Sequence, residues 1–312
     1  GLDASFLDNR LNFTGEAYIR NTKDMLTAGI ALPAVYGTSS PKMNSADMQT
    51  KGYELTLGWQ DMFKLAGKPF SYQVNLTFND YTSKITKFNN PEKAFAKGYY
   101  EGMRIGEIWG YHIDGIFATD EEAASYEVDQ RNVNDIINSS SGSLKGLHAG
   151  DLRFADLDGD NRISTGENTV DKPGDRRIIG NSEPRYQYGA NLAFQWCGFD
   201  FSIFFQGIGR MDWYPASEAE LFWGPFNRPY ATFLPKNFLE KCWSEDNPDA
   251  YFPRPRAYVA YDNLNNQCRE LTAKNDRYLQ NIGYCRLKNL TVGYTLPKNL
   301  TRKVGIDMLR VY

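Results

Sequence analysis

No apolar run reaches the roughly 18 residues that a membrane-spanning helix requires, so any crossing of a bilayer by this chain must be made by strands. Histidine is scarce: His112 and His148 are the whole complement, and each reads as an ordinary surface or packed residue rather than a ligand or base. The four cysteines include no Cys-x-x-Cys pair, which argues against a zinc or thioredoxin-like site. Cys242 and Cys268 share one predicted loop and could be bridged. Cys197 sits in a tight turn and should be a free thiol. There is no Gly-x-Ser-x-Gly elbow, no His-Glu-x-x-His helix and no phosphate-binding loop ending in Lys-Ser or Lys-Thr. The run Asp120-Glu121-Glu122 reads as a solvated face at the start of a short helix. No active site is expected. A net charge of −3 and a pI near 5.6 give no support for nucleic-acid binding. Gly1-Leu2-Asp3-Ala4 lacks the basic and apolar regions of an export signal, so the expectation is that any such signal was lost earlier or lies upstream.

What the chain has is strict alternation. From Tyr186 to Phe205 two runs flank Cys197-Gly198. Tyr186, Tyr188, Ala190, Leu192, Phe194 and Trp196, then Phe199, Phe201, Ile203 and Phe205, fall on one face. Gln187, Gly189, Asn191, Ala193 and Gln195, then Asp200, Ser202 and Gln206, fall on the other. Period two predicts a hairpin with one apolar aromatic face and one wet face. The pattern recurs at Leu11–Ile19, Tyr53–Trp59, Phe70–Phe78 and Leu290–Leu296, and Leu309-Arg310-Val311-Tyr312 starts another strand. The expectation is six strands and a stump.

The predicted connections alternate: Arg20–Gly52 long, Gln60–Pro69 short, Asn79–Arg185 very long, Cys197–Gly198 short, Gln206–Asn289 very long, Pro297–Asp307 short. Antiparallel order sends all the long ones to one end, as in transmembrane barrels with short periplasmic turns and long extracellular loops. Aromatic residues make up 14% of the chain, which suits interfacial girdles. A mean hydropathy of −0.55 fits as well, because only alternate strand residues need be apolar. The sequons at Asn12, Asn75 and Asn289 lie in predicted strands on the polar face, where a glycan would fill the interior; these Asn side chains are expected to line a hydrated lumen instead. A soluble sandwich whose apolar faces meet in a core has the same periodicity.

Several motifs in order carry a resemblance. They are Lys42…Asp47-Met48…Thr50-Lys51-Gly52-Tyr53-Glu54-Leu55, then Ile105-Gly106-Glu107-Ile108-Trp109-Gly110-Tyr111 with Asp114-Gly115-Ile116-Phe117. Gly150-Asp151, Asp156-Leu157-Asp158-Gly159-Asp160, Ile179–Tyr186 and Gly198–Ser202 follow, and Arg286–Tyr294 and Leu309–Tyr312 close the series. Together they are similar to SusC/RagA-type TonB-dependent outer-membrane transporters. The resemblance implies an all-β chain, part of a large antiparallel transmembrane barrel of roughly 22 strands with a plugged lumen. Residues 1–312 would be the C-terminal portion of that barrel, with plug, TonB box, early strands and final strands absent. It further implies the outer membrane of a Gram-negative, Bacteroidetes-like bacterium, a SusD-like surface lipoprotein over the mouth, and TonB acting through the absent N-terminal region. The cargo would be an oligosaccharide or, in some members, a peptide.

Within residues 150–171, Asp156-Leu157-Asp158-Gly159-Asp160-Asn161-Arg162-Ile163-Ser164-Thr165-Gly166-Glu167 has calcium-loop spacing. Asp156, Asp158 and Asp160 stand at positions 1, 3 and 5, the Arg162 carbonyl at 7 and Glu167 at 12. Four carboxylates so close repel one another unless a hard cation neutralises them, so structural Ca²⁺ is expected. Asn161 occupies the place of the usual glycine, and Asn tolerates the left-handed region. The alternative is a metal-free, Asx-rich surface turn.

Trp213, Tyr214, Phe222, Trp223, Phe226 and Tyr230 crowd one long loop, with Phe233 beyond. Flat rings stack on sugars, and Asp212, Glu218, Glu220, Asn227 and Arg228 could bond hydroxyls. The competing expectation is that the rings pack the loop on itself or against the lipoprotein lid. Two functions follow: the wall and external loops of an energised importer of a bulky polar nutrient, with a glycan as the first expectation, or a secreted, calcium-stabilised β-sandwich that binds carbohydrate.

Overall fold

The computed structural model describes residues 1–28, 35, 37, 41–134, 146–230, 232–261 and 270–312. Among them the strands run, in chain order, β1 Leu2–Phe6, β2 Leu11–Ala28, β3 Lys42–Leu65, β4 Lys68–Lys87, β5 Glu107–Gly110, β6 Ile113–Ile116, β7 Leu152–Phe154, β8 Arg177–Asn181, β9 Arg185–Trp196, β10 Phe199–Arg210, β11 Asp212–Trp213, β12 Gln280–Asn281, β13 Tyr284–Thr295 and β14 Arg310–Val311. The chain divides into two compact units. One comprises Gly1–Phe88, Glu183–Met211 and Ile282–Tyr312, and the other Asn89–Ser182 and Asp212–Asn281.

The first unit is one antiparallel sheet ordered β1-β2-β3-β4-β9-β10-β13-β14. Its register carries the alternation of each strand across to the next. Val74, Leu192, Ile203 and Leu290 lie opposite one another in turn, as do Phe13, Leu57, Leu76 and Ala190. The intervening row runs Asn12, Gly58, Asn75, Asn191, Phe204, Asn289, so the three sequon asparagines share the polar face as expected. The hairpin turns Ala66-Gly67 and Cys197-Gly198 have positive φ at both residues, which a two-residue type I′ turn requires. Gly207 leaves room for the ring of Tyr188, since a Cβ there would lie 2.3 Å from it.

Two expectations about the strands need correcting. The sheet has an additional strand, β1, and β2 and β3 extend to Ala28 and from Lys42, so most of the supposed Arg20–Gly52 loop is ladder. The remaining strands and the terminal stump fall where the pattern puts them. The long connections are residues 89–182 and 212–281, and they enter and leave the sheet from the same strand ends.

The apolar face of the sheet is not a core. Leu290 is 53% exposed and Val292 57%, and Leu57, Leu76 and Phe194 are exposed too. Every member of the buried apolar cluster belongs to the second unit, among them Leu152, Phe154, Ile163, Trp223, Phe226 and Tyr278. That unit contains the pairs β5–β8, β6–β7 and β11–β12 and the short helix α1, Asp120–Ser125, capped by the Thr119 hydroxyl accepting from the Glu122 amide. No helix among the described residues is long and apolar enough to cross a membrane.

Candidate functional site

Three features bear on function: the two faces of the sheet, the acidic loop and the aromatic loop. On the apolar face, rings gather toward both strand ends. Near the short turns, Phe70 meets Phe63 at 5.1 Å and Phe194 at 6.1 Å, Phe194 stacks on Phe201 at 4.8 Å, and Phe199 lies 4.6 Å from Tyr294. Near the long connections, Phe78 meets Tyr53 and stacks on Tyr186. Leu57, Leu76, Ala190, Leu192 and Ile203 lie between. Just beyond the upper rings, Arg185 makes two bonds to Asp80, at 2.6 and 2.5 Å, and the Tyr186 amide donates to the same carboxylate. At the opposite rim Asp61 pairs with Arg10 at 3.5 Å, and on the polar face Arg310 bonds Asp200.

The acidic loop forms as its spacing dictates. Asp156 accepts the amides of Gly159 and Asn161, both at 2.8 Å, Asp158 that of Asp160 at 3.3 Å, and Asp160 that of Arg162 at 2.8 Å. Asn161 takes φ +59°, the left-handed value expected at position 6. The loop is anchored where the Asp129 amide donates to the Asn161 carbonyl and the Ile163 amide to the Asp129 carbonyl, both at 2.9 Å.

Position 12 behaves differently. Glu167 is drawn to Lys172 at 2.5 Å, and the third carboxylate beside Asp156 and Asp158 is Asp175, their oxygens lying within 4.8 Å of one another. Asp175 is buried and accepts from Leu157 and Ser164, each at 2.7 Å. Gly166 and Gly174 bring it there: their backbones abut so closely that a Cβ on Gly166 would lie 2.5 Å from the Gly174 nitrogen. Burial, reinforced by the charges of Asp158 and Asp156, raises the Asp175 carboxyl above the ordinary aspartate range despite its two amide donors. Burial also acts to raise Asp156, but the amides of Asn161 and Gly159 outweigh it and hold that group low. Asp156, Asp158 and Asp175 offer oxygen donors of the kind Ca²⁺ prefers, and Asp160 and the Arg162 backbone stand next in the loop.

The aromatic candidates separate into two sets. Tyr214, Trp223 and Phe226 are buried and cannot stack on a sugar. The Tyr214 hydroxyl donates to the Leu271 carbonyl at 2.7 Å, and Phe226 lies 5.4 Å from Phe252. Phe222 packs partly buried against them. The rings left to solvent are Trp213, Tyr230 at 78% and Phe233 at 81% exposure. Of the polar groups, Asp212 accepts the Asn181 amide, Asn227 donates to the Ser217 and Ala260 carbonyls, and Arg228 bonds and overlies Tyr261. Packing therefore accounts for the inner half of this loop.

Cys197 is a free exposed thiol, as expected, and Cys242 is a free buried one whose pKa burial pushes up to about 11. Cys268 lies outside the described residues. His112 meets Asp276, which also accepts from Ile113 and Arg177, fastening residues 274–276 beside β6, while His148 lies 3.5 Å from Asp120. The second unit also buries Asp151, bound by Arg256 at 2.9 Å, and Glu270, whose carboxyl accepts the Leu152 amide at 2.7 Å. Burial first, and then the Asp151 charge, drives Glu270 far above the usual carboxylate range. No local motif in the sequence marks either cluster.

No family model matches the chain. Curated relatives do. "TonB-dependent receptor P3" of Formosa agariphila is 27% identical over 325 residues, covering 100% of this chain and 28% of the relative. "TonB-dependent receptor P39" of the same organism is 24% identical, covering 98% and 29%. The chain thus spans under a third of the length of these relatives. Among solved structures, that of the RagAB peptide transporter aligns with a TM-score of 0.64 and 19% identity over 99% of this chain and 29% of that one. The RagAB importer in its "open-open" state aligns at 0.64 with 18% identity. The antiparallel sheet with two long inserted connections is thus a fold already observed, and the chain is similar along its whole length to the SusC/RagA type of TonB-dependent transporter, whose place is the outer membrane.

Proposed function

We propose that the sheet is part of the wall of a closed transmembrane β-barrel, and that the protein imports a bulky polar nutrient in a TonB-dependent manner. What carries this reading is an uncovered apolar belt between two aromatic girdles. From Tyr186 to Trp196 β9 advances ten residues. At about 3.4 Å each, and tilted by about 40°, that makes a band roughly 26 Å tall, close to the ~25 Å expected for the lipid-facing surface of such barrels. A soluble sandwich would have to bury this face, and the buried apolar cluster includes none of it. An open sheet in hydrocarbon leaves costly unpaired edges, so further strands close the wall in this reading.

The polar face then lines the lumen, and the second unit forms the external loops. A SusD-like lipoprotein is the partner at the mouth, and TonB acts through a region outside this chain. An oligosaccharide is the cargo of first choice, because the central rows of the polar face carry amides and hydroxyls: Asn12, Thr14, Thr56, Gln73, Asn75, Thr77, Asn191 and Thr291. The likeness to the RagAB peptide transporter makes a peptide the alternative. Fractionation checks the membrane reading. The intact receptor should sediment with outer membranes, resist salt and carbonate, and come off only in detergent as a band whose gel migration changes on boiling. Release into plain buffer would contradict it. Cargo co-purified with the receptor and read by mass spectrometry separates glycan from peptide.

We further propose that Asp156, Asp158 and Asp175, with Asp160 and the Arg162 carbonyl, hold a structural Ca²⁺ that stiffens the external loop of residues 89–182. Asp175 takes the place in the ligand set that spacing gave to Glu167. Calorimetric titration of the receptor should register calcium uptake weakened about tenfold or more by Asp158→Asn and by Asp175→Asn, because affinity follows the number of charged ligands. Glu167→Gln should bind as the wild type does. Uptake insensitive to Asp158 would return the loop to a metal-free Asx turn.

A further inference from the structure

Above the upper girdle the lipid side of the sheet changes character. Outward from the row of Ala17, Tyr53 and Asp80 comes the row of Ile19, Lys51 and Thr82, then that of Asn21, Gln49 and Lys84. The Gln49 amide donates to the Asn21 carbonyl oxygen at 2.9 Å, whereas Thr50 and Ser83 meet on the opposite face, which fixes Lys51 and Lys84 on the side of the apolar belt. The two lysines are diagonal neighbours on adjacent strands, within roughly 8 Å at their Cβ atoms. Both are exposed, and neither has an ion-pair partner among the described residues. The nearby carboxylates are committed elsewhere: Asp80 to Arg185 and the Tyr186 amide, and Asp47 to the amide of Asp24 at 2.9 Å. Lys87, opposite Asp47, adds a further cation beyond them.

Two uncompensated like charges side by side repel, and on a sheet face directly opposed like charges destabilise. Here they stand one and two pleats past the aromatic row, about 7 and 14 Å along the strand. That is the level at which a bilayer changes from hydrocarbon to headgroup, where basic residues meet lipid phosphates. We propose that Lys51 and Lys84 form a docking site on the outer rim of β3 and β4 for a phosphate-bearing glycolipid headgroup of the outer leaflet. The inference rests on the barrel reading above. The lipid supplies the missing anion and its acyl chains lie against the belt formed by Tyr53, Leu55 and Leu57. The opposite rim near the short turns has Lys64 and Lys68, also exposed, and serves as the internal control.

The test is native mass spectrometry of the intact receptor, purified in detergent, with added lipid A or the same lipid stripped of phosphate. The wild type should retain the phosphorylated form about thirtyfold more than the stripped one, the discrimination expected of two basic residues near a phosphate. Lys51→Gln with Lys84→Gln should abolish that preference, and Lys64→Gln with Lys68→Gln should leave it intact. Equal retention of the two lipids by the wild type, or a preference that survives in the Lys51/Lys84 double variant, would overturn the proposal. So would complete displacement by millimolar inorganic phosphate, which would identify a site for the free anion. Boiled and unboiled samples of each protein are compared on gels. A wild type without heat-modifiable migration defeats the barrel reading itself, whereas an assembled barrel without lipid preference defeats only the lipid site.

Discussion

Arginine in place of Leu192 or Ile203 should remove most of the assembled receptor from the outer membrane. The two side chains face each other across β9 and β10, with Val74 and Leu290 completing the row. A guanidinium on the lipid face near mid-bilayer costs about 2–4 kcal/mol and less toward the interfaces, where it can reach water. Domains are held by only about 5–15 kcal/mol, so one substitution lowers the ratio of folded to unfolded receptor by roughly one and a half to three orders of magnitude, and the enlarged unfolded share is open to degradation. The comparison that gives the experiment its force is the other face. Gln195 and Thr291 belong to the polar rows, Gln195 opposite Asp200 and Thr291 opposite Ser202. Arginine there meets water in the lumen, so assembly should be near normal and any change should be in uptake. The heat-modifiable fraction in outer membranes reads all four variants on one scale. Equal damage on the two faces would mean that the sheet is not a boundary between lipid and water.

The same physics decides what could be read from the chain alone. The β9–β10 hairpin was legible because apolar and polar residues alternate along both of its strands, which puts one kind on each face. Where both faces meet water, alternation carries no information. In residues 20–28 and 42–52 polar and apolar residues do not alternate, since Asn21 and Thr22 lie opposite Gln49 and Met48 and Leu26 lies opposite Asn44, so the ladder there is held by backbone pairing without a period-two mark. β1 did leave one, Leu2, Ala4 and Phe6 against Asp3 and Ser5, but over five residues it is too short to stand out. The acidic loop was legible as far as its local turn chemistry reaches, through Asp160 and Asn161. Glu167 was the natural choice for position 12 by spacing. The structure also brings the Asp175 carboxylate beside Asp156 and Asp158 through the contact of Gly166 with Gly174, and the only local trace of that return is the pair of glycines on either side of Lys172-Pro173. The buried Asp151–Arg256 contact joins positions too far apart for any local motif.

The aromatic loop presents the remaining ambiguity, because Trp, Tyr and Phe serve both cores and binding surfaces. Trp223→Ala should resolve it with a large effect. Trp223 is fully buried, in edge contact with Phe222 at 4.8 Å and Tyr278 at 5.4 Å, and its indole N–H donates to the Pro215 and Ala216 carbonyls, each at 3.2 Å. Truncation leaves a cavity and two carbonyls without their donor, a loss of about 3–5 kcal/mol. Against the roughly 5–15 kcal/mol that holds a domain, that loss raises the open fraction of the loop unit by about two to four orders of magnitude. In the assembled receptor, limited proteolysis should cut the variant within residues 212–281 while the barrel band keeps its heat-modifiable shift. Tyr230→Ala touches a ring that is 78% exposed and should change stability by less than about 0.5 kcal/mol, leaving the loop resistant. A defect in cargo or lipoprotein binding from Tyr230→Ala then reports a surface, whereas the same defect from Trp223→Ala reports a collapsed support. Cleavage of both variants to the same extent would mean that the cluster around Trp223 is not what holds the loop.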